Sequence, residues 1–511
     1  MTFDVIIVGY GPTGATLANL LGQAGHRVAI VDMFPGIFEQ PRAINIDQEV
    51  LCTWQSIGLA DEIAAGCEPH TGTDFLGMDG ELIKYLYSAP APYPLGWPAN
   101  LMFVQPAAER ALRRGVRRFH NVTEYLAHEA SLVTQNAEGV TVTLNAKDGS
   151  PQSIRGRWLV ACDGANSPIR EGLGIGQDDL GFSEWWIVVD AWLRRPTPLP
   201  PRTTQYCFPD APGAYVVCSG SLRRWEMKIL PGEDPETFHD HDKVTQRMSV
   251  YVDPDALEFW RSAVYHFNAR VADRWRSDRI LLAGDSAHQM PPFLGQGLCS
   301  GVRDAANLWW KLDRVLRGHS PDTLLDTYEA ERKPHIRVLT EITKSLGEIA
   351  GETDPVKAAA RDRRLRAEMD SGRMETVRQN LIPPLKNGFL DAEDTSGLAG
   401  VIAVQPMLRS GERCSLANDW TGPRMRLLTS RRPGPELDAL LDRHNIAVLA
   451  IGPGLLEDVE GTFIDFTQRH GVESIFVRPD GYIWGAQATT DTTLPAARRL
   501  IAALHTREFV S

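Results

Sequence analysis

The stretch "FDVIIVGYGPTGATLANLLGQAGHRVAIVD", Phe3 to Asp32, constrains the fold more than any other part of the chain. A β-branched apolar run enters a glycine turn, a helical pattern with one apolar face follows, and a second apolar run ends on an acid. Those periods predict strand, helix and parallel strand, the repeating unit of a doubly wound α/β sheet. Gly9, Gly11 and Gly14 form a G-x-G-x-x-G turn. The first glycine permits the tight turn, the second lets a pyrophosphate approach the backbone, and the third lets helix pack on strand. Asp32 stands where a carboxylate can take a ribose hydroxyl. The pattern predicts a dinucleotide without separating FAD from NAD.

Two later runs read as further strands of that sheet. "WLVACDGA" (Trp158 to Ala165) ends on Asp163 and Gly164, followed by Ser167 and Arg170 at a helix start. "RILLAGDSA" (Arg279 to Ala287) ends on Gly284 and Asp285. An acid at a strand's end beside glycine places a polar group at the crevice where such sheets bind ligands. Asp285 can bond a ribityl or ribose hydroxyl. The helix after Gly297 would turn its unpaired N-terminal amides toward the ligand and stabilise negative charge on a reduced flavin ring. Pro291 and Pro292 are expected to fix the backbone and leave carbonyls free of local partners. His288 reads as a structural histidine before a general base.

Between these runs, "EWWIVVDAWL", "TTQYCFP", "GAYVVCSG" and "RRWEMKIL" alternate or run β-branched and aromatic, predicting an inserted antiparallel sheet. The region from about 303 to 380 is helical and charged, and a small α/β unit follows. At 511 residues two or three domains are expected. The net charge of −12 argues against nucleic acid or an anionic membrane as partner. "RRGVRRF" (Arg113 to Phe119) is expected to be a solvated helix face. Seven cysteines without a C-x-x-C pair, and an N-terminus entering a strand directly, fit a cytoplasmic protein with reduced thiols. The cluster "HDHD" (His239 to Asp242) reads as a polar loop, with no metal site expected.

In this order and spacing the three glycine–acid elements resemble the FAD-dependent aromatic hydroxylases, the single-component flavoprotein monooxygenases, over nearly the whole chain. The resemblance implies that Asp163–Gly164 is the family's DG motif and Gly284–Asp285 its GD motif. It places Arg42 in "PRAINIDQEVL", Gln105 in "FVQP", and Gly295, Gly297 and Leu298 at FAD. Asp32 stands where glutamate is commoner. The implied fold is a Rossmann-like α/β FAD-binding fold with an inserted antiparallel substrate sheet and a thioredoxin-like C-terminal domain. The expected boundaries are 1–178 for the first part of the FAD unit, with a substrate-side segment near 70–105. The substrate sheet is expected over 179–275, the rest of the FAD unit over 276–385, and the C-terminal domain over 400–511. Lacking C-x-x-C, that last unit is read as structural or as a homodimer contact.

Within the family, "PRAINIDQEVLCTWQSIGL" and "RRWEMKILPGE" are similar to the 3-(3-hydroxyphenyl)propionate hydroxylase branch. The implied reaction uses NADPH or NADH to reduce FAD, O2 to form a flavin C4a-hydroperoxide, and transfers oxygen ortho on a 3-substituted phenol. Resorcinol, hydroxybiphenyl, chlorophenol or polyketide substrates are alternatives. By the same likeness the Pro292 carbonyl would lie beside the substrate hydroxyl or the peroxide. Candidates for deprotonating the phenol are Tyr206, Tyr215 and His288. Trp186, Tyr206, Phe208, Tyr215 and Trp225 would wall the substrate, and Arg223 or Arg224 would pair with a carboxylate. No second nucleotide-binding turn is visible, which implies a transiently bound nicotinamide. An NAD-dependent dehydrogenase leaves the DG and GD elements unexplained, and the W-x-W-x-I-P stretch of flavin halogenases is absent. A non-catalytic FAD protein that sequesters a phenolic ligand is the rival from another class.

Overall fold

The structure, a computed structural model, describes residues 2–146 and 149–506. Its first sheet runs in the order Arg276–Ser277, Ile280–Leu282, Pro151–Ala161, Thr2–Val8, Val28–Asp32, Val122–Leu126. The last five are mutually parallel, and Val8, Ala161 and Leu282 lie in register at their carboxyl ends. The glycine turn, the DG element and the GD element therefore leave the sheet side by side. The near-continuous apolar runs suit strands buried on both faces of a parallel sheet. The helices Pro12–Gln23 and Gly297–Leu316 cover one side and approach closely, since a Cβ on Gly301 would lie 2.2 Å from Thr13 Oγ1.

The second sheet is wider than the expected insertion. Its order is His288–Gln289, Leu257–Ala272, Gln177–Leu193, Leu222–Lys228, Gly213–Val217, Thr203–Tyr206, Thr73–Leu76, Leu82–Leu86. The last two come from the segment near 70–105, and Thr203–Tyr206 pairs with Thr73–Leu76 in parallel. "HDHD" is a helix start, Asp240 accepting the N–H groups of Asp242 and Lys243 at the head of His241–Met248.

Beyond residue 400 a four-stranded sheet runs Ala447–Ala450, Arg426–Thr429, Ser474–Val477, Ile483–Gln487, with the first pair parallel and the others antiparallel. With helices Pro435–Arg443, Thr462–His470 and Thr490–His505 this is the thioredoxin-like arrangement. It is docked on the helices Gly297–Leu316 and Asp326–Gly351 through a fully buried ion network. Glu331 pairs with Lys311 Nζ at 2.9 Å and Arg478 Nη2 at 2.6 Å, and Arg478 also holds Asp480 at 2.6 Å. Burial pushes the Glu331 carboxyl up, but Arg478 and Lys311 outweigh it and pull the pKa down to about 2. Such a network tolerates burial because every charge is met, and removing one member strands the others. Among the described residues no helix is long and apolar enough to cross a membrane, and no cluster of His, Cys, Asp or Glu could hold a metal.

Candidate active site

The turn after Thr2–Val8 is built by contact distances. Gly9 has φ +102°, and a Cβ there would fall 2.1 Å from the Cys162 carbonyl oxygen of the neighbouring DG element. A Cβ on Gly14 would lie 2.0 Å from the Gly9 carbonyl, so only glycine lets helix and turn meet. Gly11 instead has nothing within 4 Å and opens the uncapped start of Pro12–Gln23 to a cavity of about 570 Å³. Gly297 is equally unobstructed at the uncapped start of Gly297–Leu316. Two helix N-termini thus offer free amide donors to one space.

Asp285 also faces this cavity. It is exposed toward it and accepts no hydrogen bond from a described residue, yet its depth in the protein raises its pKa above the usual carboxylate range. Such a carboxylate is matched to a ligand's hydroxyl groups. The supporting shell is tightly tied. Arg170 Nη1 bridges the two loops by donating to Ala165 O at 3.0 Å and Ser286 O at 3.1 Å. Asp163 is held near the turn by the Ile169 N–H at 3.3 Å, while its Oδ1 is buried without a partner and burial raises its pKa. Gln105 Oε1 accepts the N–H groups of Arg42 (3.0 Å) and Ala43 (2.6 Å), which fixes the loop that carries Arg42 over the cavity. Asp32 accepts from Tyr10 N, Phe34 N and Arg113 Nη2. Arg113 is therefore buried and structural, not part of a solvated face as "RRGVRRF" suggested.

The opposite wall is the inserted sheet, and strand parity decides which residues reach it. One row across the sheet is Gln205, Ala214, Glu226, Val188; the next is Val216, Arg224, Asp190, Arg261. Paired residues share a face, and nearly all of these line the cavity, with Thr203, Thr73, His70 and Tyr265. Arg224 gives Nε and Nη2 to Asp190 at 2.7 and 3.0 Å and Nη1 to Arg42 O at 2.8 Å, so sheet and Arg42 loop are one rigid piece. Glu226 is 7% exposed, lies 3.8 Å from Arg224 Nη1 without a hydrogen bond from any described residue, and burial outweighs that arginine to raise its pKa. His70, which the sequence reading passed over, is held down to about 3 by burial and by Arg378. Its Nδ1 accepts the Gly72 N–H at 3.2 Å, so the neutral ring carries its proton on Nε2.

Of the residues expected at FAD, Gly11, Arg42, Gln105, Gly164, Asp285, Gly295, Gly297 and Leu298 line the cavity. Gly9, Gly14, Asp32, Asp163 and Gly284 shape the turns behind it. The expected substrate wall needs correction. Tyr206, Tyr215, Arg223 and Trp225 lie one residue out of step with the cavity rows, on the far face. Tyr215 and Trp225 pack in an apolar cluster with Phe238, Val244 and Met248, with Tyr206 against it. Arg223 donates to Tyr215 Oη at 3.0 Å. Phe208 packs tilted against Tyr206 beyond the strand, and Trp186, though of cavity parity, is sealed beneath Phe293 at a centroid distance of 5.3 Å. Burial pushes the Tyr206 phenol up to about 12 and raises Tyr215 as well, which keeps both protonated at neutral pH.

His288 is also off the cavity. Its Nε2 bonds Asp304 Oδ2 at 2.7 Å, the same oxygen that takes the Gly284 N–H at 3.0 Å, so it braces the GD turn. Pro292 does line the cavity, but its carbonyl accepts the Gly295 N–H at 2.7 Å, contrary to the expectation of a carbonyl without local partner. The left-handed Gly295 closes that short 3-10 turn.

Free helix amides, a solvent-facing acid and unobstructed glycines at both helix starts fit a dinucleotide with an extended flavin. The family described as FAD binding domain matches residues 2–343. A probable NADH-specific resorcinol 4-hydroxylase of Rhodococcus jostii is 34% identical, over 98% of this chain and 95% of that one. The chain belongs to the FAD-dependent aromatic hydroxylases. A 3-(3-hydroxy-phenyl)propionate/3-hydroxycinnamic acid hydroxylase of Comamonas testosteroni is 38% identical over 76% of this hydroxylase but only 64% of its own length. The solved aklavinone-11 hydroxylase, in complex with FAD and aklavinone, superposes with a TM-score of 0.81 at 23% identity, over 98% of this chain and 99% of that one. PieE, a flavin-dependent monooxygenase, gives 0.82 at 22% identity over the same shares. These two show that the whole hydroxylase fold, C-terminal unit included, is shared.

Proposed function

We propose that this hydroxylase uses NADH and O2 to hydroxylate a phenol carrying a substituent meta to its hydroxyl group. The observation that carries the reading is a single cavity joining two free helix starts and Asp285 to the polar face of the inserted sheet. Bound FAD supplies the redox chemistry that takes electrons from NADH and activates O2 for transfer to an electron-rich ring. Asp285 would hold sugar or ribityl hydroxyls of that cofactor, and the amides at Gly11 and Gly297 would hold its pyrophosphate and the electron-rich edge of its ring. Arg42, braced by Gln105 and Arg224, adds positive charge on the same side. The ring of the substrate rests between the Pro292–Gly297 turn and the sheet face of Val188, Val216 and Gln205. Trp186 and Phe293 seal one flank and keep water from the reacting atoms.

Resorcinol and 3-(3-hydroxyphenyl)propionate, named for two relatives, are both meta-substituted phenols, which supports that class. NADH follows the relative that matches over nearly its full length. We assign residues 2–146, 149–178 and 276–385 to the flavin unit, 179–275 with the 70–105 segment to the substrate sheet, and 400–506 to a structural clamp; residues 1, 147–148 and 507–511 of the expected units lie outside the described residues. The test is NADH consumption by FAD-loaded protein across resorcinol, 3-(3-hydroxyphenyl)propionate, 2-hydroxybiphenyl and phenylacetate, with products identified by mass spectrometry. A meta-substituted phenol that gains one oxygen ortho to a hydroxyl is expected. Oxidation of NADH to NAD+ with O2 reduced to hydrogen peroxide for every phenol, and no oxygenated product, would overturn the reading.

A further inference from the structure

Four arginines line the cavity, and two of them share a carboxylate. Arg224 and Arg261 share Asp190 and the carbonyls of Pro41 and Arg42. Arg42 stacks over Phe38, its guanidinium carbon 5.1 Å from the ring centroid, on the loop assigned to FAD. Arg378 is different. It is 6% exposed, its Nη2 donates to the Leu294 carbonyl, and its Nε is buried without a partner. No carboxylate among the described residues pairs with it. Asp47, the acid nearest in effect, already accepts the N–H groups of Glu49 and Val50 and the Arg303 guanidinium. The desolvated cation is accordingly lowered to about 10. A buried charge without a counterion is costly, so a ligand that supplies the anion gains what the protein leaves unmet.

The position of Arg378 says which anion. Its own N–H is pinned to Tyr87 O at 3.0 Å, and a Cβ on Gly295 would lie 3.4 Å from its Nη2. The guanidinium therefore sits against the Pro292–Gly295 turn, where the proposed function puts the reacting ring. The other titratable groups facing it are His70, a neutral donor, and Cys299, whose thiol burial keeps protonated. Neither can neutralise it.

Resting on that proposed function, we infer that Arg378 binds the ionised phenol oxygen of the substrate and holds the ring as phenolate for oxygen transfer. The phenol proton leaves to water, Arg378 keeps its own, and His70 Nε2–H is free to donate a second hydrogen bond. A free phenol titrates near 10, as tyrosine does, and an opposite charge at contact lowers such a group by about 1–3 units.

The test follows 4-fluororesorcinol on oxidised, FAD-loaded protein by fluorine NMR against pH, without NADH. The bound phenol is expected to ionise about 1–3 units below the free compound, Arg378→Gln to move it back up, and Arg378→Lys to retain most of the shift. Should the Gln variant lose flavin, the Lys variant decides: a bound pKa equal to that of free phenol in a flavin-loaded Lys variant overturns the inference. An identical bound pKa in wild type and Gln variant also overturns it. So does a change in flavin reduction potential with the phenol pKa unmoved, which would make Arg378 a partner of the flavin. If phenols stimulate hydroxylation but their ionisation ignores Arg378, only this inference fails; if no phenol binds, the proposed function fails with it.

Discussion

One face of the inserted sheet carries Ile187, Tyr215, Trp225 and Met227; the other, one residue out of step, carries Val188, Val216, Arg224 and Glu226. The first is buried against Phe238, Val244 and Met248 around the helix His241–Met248. The second faces the flavin cavity. On the central strands aromatic bulk thus went to the face that needs area removed from water, while polar or small side chains, with Tyr265 and Phe267 of the neighbouring long strand, line the face that must leave room for a ring. The intuition that an aromatic substrate wants aromatic walls picks the wrong face here, because large rings are first of all the means by which a sheet pays for its own folding.

Substitutions that divide the two faces give the sharpest contrast. Trp225→Ala should remove about 3–5 kcal/mol of stability by leaving a cavity in the apolar cluster. Chemical denaturation would read that loss, while KM in the folded fraction stays within about twofold. A large KM change with unaltered stability would break the comparison. On the flavin side of the cavity, Asp285→Asn should weaken FAD binding by about 10–100-fold, the size of a lost hydrogen bond to a charged group, with the melting transition of apoprotein nearly unmoved. Fluorescence titration of apoprotein with FAD measures it.

The smallest effect concerns Glu226. Burial raises its pKa in the folded protein, so between the unfolded value and the raised one the native state keeps a proton the unfolded chain has lost. Stability from this group is then full at low pH and falls as pH rises through that window. Glu226→Gln removes the dependence, so the difference in unfolding free energy between variant and wild type should favour the variant more at pH 8 than at pH 4. A difference that runs the other way would mean Glu226 is ionised and paired.

The flavin half was legible because its constraints are local. A glycine at φ +102° beside a carbonyl, or at the open head of a helix, leaves its mark at a single position. The DG and GD acids sit at the ends of apolar runs, and parallel register does the rest. The substrate half was not legible in the same way, since a shift of one residue reverses every side chain and nothing local in "GAYVVCSG" or "RRWEMKIL" tells which parity faces inward. That depends on the helix His241–Met248, which covers the aromatic face. Arg378 and His70 were missed for a related reason: both enter the cavity from short connecting segments far apart in the chain, without a motif around them. The misjudged Pro292 carbonyl reflects the 3-10 turn that left-handed Gly295 closes.

The most direct measurement is a crystal structure of the FAD-loaded protein with resorcinol bound. The account predicts the isoalloxazine between Asp285, Gly297 and Leu298, and the resorcinol ring on the Val188–Val216–Glu226 face with one oxygen at Arg378. A ring bound on the Tyr215–Trp225 face, or a flavin held away from those loops, would contradict it.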